Sequence, residues 1–394
     1  MALEAHLDPA VEPGHFYPVM QEVTFPGYLL AGFECSTHRR LDGRRLDMIA
    51  ATEHDRFARA DYARLAASGI GIAREGLRWH LIEQKPGVYD FASALNQLRA
   101  AEEHEIRVIW DLFHYGLPDD IDIFGEVFVE RFTNFSEAFA RLHIAETGRA
   151  PWIVAINEIS FFAWIAGDVG QFFPYAHERS PELKRNLVRA AAAAIGAVKD
   201  CAPGTVSMTS EPLVHVTARP EEPWNSTPAA AYNEAQFEAV DMLLGNSAPE
   251  LGGSPDLVDL VGLNYYPHNQ WTYPDREMIA PGDEGYKDLR SLLQDAQTKL
   301  AKPLFISETG TEGDKRGPWL SEVMLQCKTA RSAGVDLRGV CIYPILNHPG
   351  WDDERHCPNG LWGYADAAGA RDVEHALLEA VRSVPGERRS AASA

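Results

Sequence analysis

The chain has 394 residues and a formal net charge of −21, from 36 Lys and Arg against 57 Asp and Glu. Hydrophobic residues make up 45 % of it, enough for the core of a large globular protein. The acidity disfavours nucleic acid and anionic membranes as partners, because both would be repelled at long range. The N-terminal residues lack a basic stretch followed by an apolar one, and no run of about 18 apolar residues occurs. We therefore expect a cytoplasmic protein without a secretory signal.

Eight short apolar runs recur along the chain, each followed by a stretch with apolar residues at helical spacing. The runs occupy residues 27–33, 69–74, 106–113, 151–156, 204–210, 257–264, 303–307 and 337–344. The helical stretches occupy 54–69, 91–105, 127–148, 181–201, 230–245, 285–300, 318–334 and 372–384. Strands that alternate with helices pair in parallel, and eight such units predict an α/β protein with a (β/α)8 TIM barrel. An open doubly wound sheet is the alternative.

The barrel pattern predicts a single catalytic domain over residues 1–385. Residues 1–20 are expected to form an N-terminal extension that wraps the barrel or closes its bottom. The small and polar residues 386–394 predict a disordered tail.

The five cysteines are odd in number and widely spaced, with no CxxC pair and no zinc-finger spacing. The acidic stretch "DDERH" at 352–356 also lacks a fixed spacing of metal ligands. We expect reduced thiols, no metal and no cofactor.

In a barrel of this kind the chemistry lies at the carboxyl ends of the strands, so the residue on which each run ends is the informative one. Every run delivers a polar or aromatic residue to this rim. These residues are Glu34, Arg74, Glu75, His114, Asn157, Glu158, Glu211, Asn264, Tyr265, Tyr266, Glu308 and Tyr343.

Two of these carboxylates, Glu158 and Glu308, follow the fourth and seventh strands. Glycoside hydrolysis needs such a pair, in which one acid protonates the leaving oxygen and the other attacks the anomeric carbon. Asn157, directly before the first acid, can bond the sugar 2-hydroxyl, a contact that tightens in the transition state. The aromatic residues of "ISFFAW" at 159–164 should then wall the side of the leaving group.

The motifs at these ends resemble those of the glycoside hydrolases with catalytic Glu residues after strands four and seven, closest to the family 1 β-glucosidase-like branch. "INE" at 156–158 is similar to the acid/base motif, which implies that Glu158 is the acid/base. "ISETG" at 306–310 resembles the nucleophile motif and implies that Glu308 is the nucleophile. "GLNYY" at 262–266, "DLFHYGLP" at 111–118 and "REGLRW" at 74–79 imply supporting roles for Tyr266, His114 and Arg74. The resemblance extends from residue 27 to about residue 366.

The chain departs from this family in the first and eighth strands. Glu34 stands where the family has a sugar-binding Gln, and Tyr343 stands where it has a Trp. The segment 343–366 lacks the family's second sugar-binding Glu. Trp351 and Asp352 lie on this segment, which either forms the wall of the sugar site or is a solvated acidic loop.

These observations predict a retaining β-glycosidase whose partner is a small-molecule glycoside or an oligosaccharide, with the two carboxyl groups about 5 Å apart. An endo-glycanase or transglycosidase with the same acids and a sugar-binding barrel without turnover are the alternatives. The oligomeric state stays open.

Each site residue also has a structural interpretation. Glu158 and Glu308 could be loop carboxylates, Asn157 a cap, Tyr266 a packed aromatic, Arg74 a structural ion pair and His114 a core histidine. Glu34, Glu75 and Glu211 are balanced between sugar contacts and structural hydrogen bonds.

Overall fold

The computed structural model describes residues 23–384, and these form a barrel of parallel strands surrounded by helices. Eight strand positions follow one another around the barrel, and the eighth strand pairs with the first, with Cys341 beside Leu30. The (β/α)8 prediction is therefore confirmed. The strands are β1 Leu29–Gly32, β2 Ile72–Gly76, β3 Arg107–Phe113, β4 Trp152–Ile156, β5 Val206–Met208, β6 Val261–Asn264, β7 Leu304–Thr309 and β8 Leu337–Ile342.

The barrel closes at its fifth position, where the chain changes partners. β5 pairs with β4, whereas the next two residues in strand conformation, Glu211–Pro212, pair with β6. A parallel bridge between Met208 and Leu260 joins the two halves. The strand is therefore shorter than the predicted run 204–210, because the residues after Met208 form their backbone hydrogen bonds with β6 and not with β4.

A ring of helices covers the outside of the strands. The principal ones are α1 His54–Ala67, α2 Ala92–Glu103, α3 Glu126–Thr147, α4 Ser180–Cys201, α5 Ser226–Ala235, α6 Glu238–Leu243, α7 Leu289–Leu300, α8 Arg316–Ser332 and α9 His375–Arg382. The predicted helix 230–245 is divided between α5 and α6. The predicted start at residue 285 is wrong for α7, because Gly285 has φ +84° and the Asp288 side chain caps the helix by accepting from the Ser291 amide at 2.7 Å.

Shorter elements decorate the ends of the barrel. The helices Met48–Ala51, Trp79–Ile82 and Ile159–Gly167 lie in βα loops. Two-stranded sheets pair Glu83–Lys85 with Val88–Tyr89, His215–Ala218 with Gln270–Tyr273, His348–Pro349 with His356–Cys357, and Trp362–Ala365 with Arg371–Val373. Within residues 23–384 no helix has the length and apolar character needed to cross a membrane. The predicted extension 1–20 and tail 386–394 lie outside the described residues.

The interior of the barrel is apolar toward the amino ends of the strands and polar toward their carboxyl ends. A buried cluster that includes Phe25, Ile72 and Phe305 fills its lower part. The ring of Tyr343 packs against the backbone of β1 at Gly32. Glycine is required at position 32, because a Cβ on this residue would come within 2.0 Å of the tyrosine ring. The polar strand ends therefore stand on a rigid, packed floor.

A second buried polar cluster ties α1 to the outside of β2. His54 lies between two carboxylates, with Nδ1 2.9 Å from Asp61 and Nε2 2.8 Å from Glu75. Arg371 also contacts Asp61, at 2.7 Å, which joins the C-terminal part of the chain to the cluster. Burial alone would lower the pKa of His54, but the two carboxylates outweigh it and raise the pKa to about 9. The sequence does not decide between a sugar contact and a structural hydrogen bond for Glu75, and the position of Glu75 in this cluster favours the structural hydrogen bond.

Replacing His54 by Gln should lower the free energy of unfolding by about 3 kcal/mol at low pH, because two buried carboxylates lose the cation between them. The pKa of His54 rises from 6.5 in the unfolded chain to about 9 in the folded one. Its contribution is therefore complete below pH 6.5 and is lost as the pH rises through 9. Urea unfolding followed by circular dichroism across this interval should show the deficit of His54→Gln shrinking.

The exposed His375 provides the control. His375→Gln should stay within about 0.5 kcal/mol of the wild-type protein at every pH. A deficit in His54→Gln that does not change with pH would contradict the charged imidazolium.

Candidate active site

A cavity of about 1030 Å³ opens at the carboxyl ends of the strands and collects most of the residues predicted from the sequence. The other predicted residues are not among its lining residues; they are Arg74, Glu75, Glu211, Asn264, Tyr265 and Asp352. The predicted residues that line it are Glu34, His114, Asn157, Glu158, Tyr266, Glu308, Tyr343 and Trp351.

Glu308, near the end of β7, is held by one donor on each carboxylate oxygen. Arg74 donates to Oε1 at 2.6 Å, and the Tyr266 hydroxyl donates to Oε2 at 2.8 Å. The residue is 5 % exposed. Burial raises the pKa of Glu308, and the Arg74 charge works against that rise. The carboxylate is thus oriented by two fixed donors, and both the charge of Arg74 and the hydrogen bond from Tyr266 stabilise its ionised form.

Arg74 is fully buried below the cavity and connects four strands. Its Nε and Nη2 donate to the two oxygens of Asp111 at 2.9 and 2.7 Å, so the guanidinium plane is fixed by a bidentate pair. Its Nη1 reaches Glu308 and the Ser307 carbonyl, and its Nη2 also donates to Asn157. Arg74 thus contacts Glu308 directly, and Asp111 fixes the orientation in which it does so.

Glu158, directly after β4, also has a donor on each oxygen, but both donors are neutral. Asn264 donates to Oε1 and the Tyr115 hydroxyl donates to Oε2, each at 2.8 Å. Burial raises the pKa of Glu158 to about 8, and the negative charge of Glu308 adds to this effect. Burial and the charge of Glu308 favour the protonated form of Glu158, whereas the charge of Arg74 favours the ionised form of Glu308, so a proton shared by the pair belongs on Glu158.

The backbone at Glu158 has φ +44°, in the left-handed region that a glutamate rarely occupies. The chain is held there by two contacts: the Glu158 amide donates to the Ser210 carbonyl at 2.8 Å, and the carboxylate of Glu211 accepts from the Ser160 amide at 3.1 Å. Glu211 thus accepts from a backbone amide in the first turn of the helix Ile159–Gly167, which has no acceptor within the helix. Glu211 does not line the cavity. A strained residue at a strand end, held by its surroundings, is typical of a functional site.

Asn157, His114 and Tyr115 link the two acids. Asn157 accepts from Arg74, donates to the Tyr115 hydroxyl at 3.0 Å and has its amide nitrogen 3.0 Å from His114 Nε2. His114 Nδ1 lies 2.9 Å from Asp111. A continuous path of hydrogen bonds therefore runs from Glu308 through Arg74, Asn157 and Tyr115 to Glu158.

The first and eighth strands, where the sequence departs from the family pattern, meet at one side of the cavity. Glu34 is 5 % exposed, and its Oε1 accepts from the Ser36 amide at 3.0 Å. Burial alone would raise the pKa of Glu34, but His114 and His348 outweigh it and hold the pKa below its usual range. Tyr343 lies beneath, with the guanidinium of Arg74 5.2 Å from the centre of its ring.

The segment after β8 contributes an aromatic wall and an exposed acidic turn. Trp351 packs at 6.0 Å from Tyr115 and 6.2 Å from Phe161, between ring centres. Asp352 is exposed, and the Gln171 side chain donates to it at 3.4 Å. The structure therefore brings Trp351 to the cavity and leaves Asp352 on the surface.

Sequence reasoning missed two contributors, Asp111 and Tyr115. Asp111 lies inside the apolar run "IRVIWDLF", and an acidic residue there signals a buried partner, because an unpaired buried charge is costly. Nothing in the sequence marks Tyr115, which reaches Glu158 only because its backbone turns at φ +70°.

Cys35, Asp111 and His114 have ligand-type atoms within 4.8 Å of one another. Both oxygens of Asp111 already accept from Arg74, and that positive charge opposes a cation at the same place. We assign no metal to this group.

The fold is similar to that of β-glucosidases and of one further enzyme over nearly the full length of both chains. The family 1 β-glucosidase from Thermotoga maritima aligns with a TM-score of 0.74 at 14 % identity, over 92 % of this chain and 98 % of that chain. The β-glucosidase from the same organism in complex with deoxynojirimycin aligns with 0.73 at 14 % identity, over 93 % and 99 %. The AHE enzyme from Alicyclobacillus herbarius aligns with 0.73 at 16 % identity, over 92 % and 100 %. The sequence itself matches no family model and no curated protein.

Replacing Glu308 by Gln should lower the pKa of Glu158 from about 8 toward the usual range of a carboxyl group. The reason is that the charge of Glu308, which together with burial raises the pKa of Glu158, is removed. Difference infrared spectroscopy of the protonated carboxyl band during a pH titration measures this shift.

The exposed Glu284 provides a carboxylate control for this titration. In Glu284→Gln the infrared band of the protonated Glu158 carboxyl group should titrate at the same pH as in the wild-type protein. A band that titrates at the same pH in the wild-type protein and in Glu308→Gln would show that the two acids do not interact.

Proposed function

We propose that the chain is a retaining glycosidase that cleaves a β-linked glycoside, with Glu158 as acid/base and Glu308 as nucleophile. The observation that carries this proposal is the unequal pair of buried acids in one cavity, one beside an arginine and the other beside neutral donors. The likeness in fold to β-glucosidases supports the same reaction class.

In the first step, the ionised carboxylate of Glu308 attacks the anomeric carbon while Glu158 gives its proton to the glycosidic oxygen. The bond between the anomeric carbon and that oxygen breaks, the alcohol leaves, and an ester forms between the sugar and Glu308. Arg74 and Tyr266 orient the attacking oxygens, and Asn264 and Tyr115 orient the acid.

In the second step, water attacks the anomeric carbon, Glu158 takes a proton from the water, and the bond between the anomeric carbon and Glu308 breaks, which releases the sugar and returns both acids to their starting state. Formation of the ester removes the charge of Glu308, so the pKa of Glu158 falls after the first step. The same side chain thereby changes from an acid into a base without moving.

The sugar is expected to lie on the floor of the cavity, among Glu34, His114, Asn157 and Tyr343. Glu34 offers an ionised acceptor to sugar hydroxyl groups. Asn157 lines the cavity, and its predicted bond to the 2-hydroxyl would compete with its bond to Tyr115.

Replacing Glu308 by Gly should reduce kcat on an aryl glycoside by at least about a thousand-fold, because the attacking group is removed. Azide or formate fits the vacated space and should partly restore turnover of a glycoside with an activated leaving group. Azide should then yield the glycosyl azide of inverted configuration, detected by nuclear magnetic resonance.

Two variants act as controls for this rescue. Glu158→Gly should retain the first step with an activated leaving group and give the azide of retained configuration. Glu284→Gly, on an exposed loop, should behave as the wild-type protein does. An absence of rescue in folded Glu308→Gly would count against the nucleophile, and an absence of turnover on a whole panel of aryl glycosides would leave a sugar-binding barrel.

A further inference from the structure

An aromatic strip leads outward from Glu158 along one face of a helix. The helix Ile159–Gly167 begins directly after Glu158, and residues three apart on it share a face. Phe161 and Trp164 are such a pair, with ring centres 5.9 Å apart, and both line the cavity. Trp164 comes six residues after Glu158, which places its Cα about 9 Å further along the helix axis.

A second apolar group lines the outer part of the same cavity. Tyr232 and Trp271 meet edge to face, with ring centres 5.7 Å apart, and Met278 is 60 % exposed. Pro212 and Val214 add to the same lining. Large apolar side chains that stay open to solvent inside a cavity are typical of a ligand site, because burying them would be favourable.

A cation lies at the outer end of the strip. The guanidinium of Arg276 is 4.9 Å from the centre of the Trp164 ring, and Arg276 lines the cavity. The acidic neighbours Asp275 and Glu277 both pair with Arg219. Among the described residues no carboxylate forms an ion pair with Arg276, so its charge is available to a ligand.

We propose that the leaving group of the substrate is a planar aromatic alcohol that carries an anionic group at its far end, of the phenolic carboxylate class. This inference rests on the proposed function. The aromatic ring lies against Phe161 and Trp164 with its oxygen at Glu158, and its carboxylate reaches Arg276. The separation along the helix keeps that carboxylate away from Glu34, Glu158 and Glu308, whose charges would repel it.

Binding of the free leaving group tests the proposal without any turnover. The probes are 4-hydroxycinnamate and its methyl ester, which share the ring and differ in charge, followed by calorimetry at low ionic strength. The wild-type protein should bind the acid at least about ten-fold more tightly than the ester, because a hydrogen bond to a charged group is lost in the ester. Arg276→Gln should remove this preference, and Trp164→Leu should weaken both probes.

Arg56 offers a matched control, since its guanidinium also lies 4.9 Å from an aromatic ring, that of Phe57, and it does not line the cavity. Arg56→Gln should keep the preference for the acid. Equal binding of the two probes by the wild-type protein, or a preference that survives in Arg276→Gln, would overturn the proposal.

The matching glycosides separate this proposal from the proposed function. If the glycoside of the acid is cleaved with the higher kcat/KM and Arg276→Gln removes the difference, both are supported. If the free acid binds as expected and no glycoside is cleaved, the leaving-group site is supported and hydrolysis is not. If glycosides are cleaved without regard to charge, hydrolysis is supported and the anionic leaving group is not.

Discussion

The bidentate pair between Arg74 and Asp111 is the interaction on which the rest of the site depends. Both side chains are fully buried, and burying either charge alone would be strongly unfavourable, so each fixes the other. The remaining donors of the guanidinium are then directed at Glu308, the Ser307 carbonyl and Asn157. Residues from β2, β3 and β7 and from the end of β4 are thereby held in one arrangement before any ligand arrives.

The same pair makes two similar acids unequal. Glu308 is next to a permanent cation, whereas Glu158 receives only the neutral groups of Asn264 and Tyr115. The mutual repulsion of two buried carboxylates then places the proton on the acid without the cation, and burial raises the pKa of Glu158 to about 8. An acid that keeps its proton, beside a second carboxyl group whose ionised form is stabilised by a cation, is the arrangement that double displacement requires.

The barrel could be predicted from the sequence because the periodicities of strands and helices and the residues at strand ends are local signals. Glu158, Glu308, Asn157 and Tyr266 were found in the same way, since each follows an apolar run. Asp111 and Tyr115 were not found, because their roles depend on which strands become neighbours and on a local turn of the backbone. The helical stretch after β5 is divided into two helices, and the fifth strand changes its pairing partner partway along. Both features result from closure of the barrel, and no local sequence pattern predicts them.

Trapping the covalent intermediate would test the central claim, that Glu308 attacks the sugar. A 2-fluoro glycoside with an activated leaving group slows both steps by destabilising the oxocarbenium-like transition state, and the activated leaving group keeps the first step the faster one. Mass spectrometry of the protein and of its peptides should then show one sugar per chain, attached to the peptide that contains Glu308. Turnover of glycosides without any adduct, or an adduct on another residue, would contradict the account.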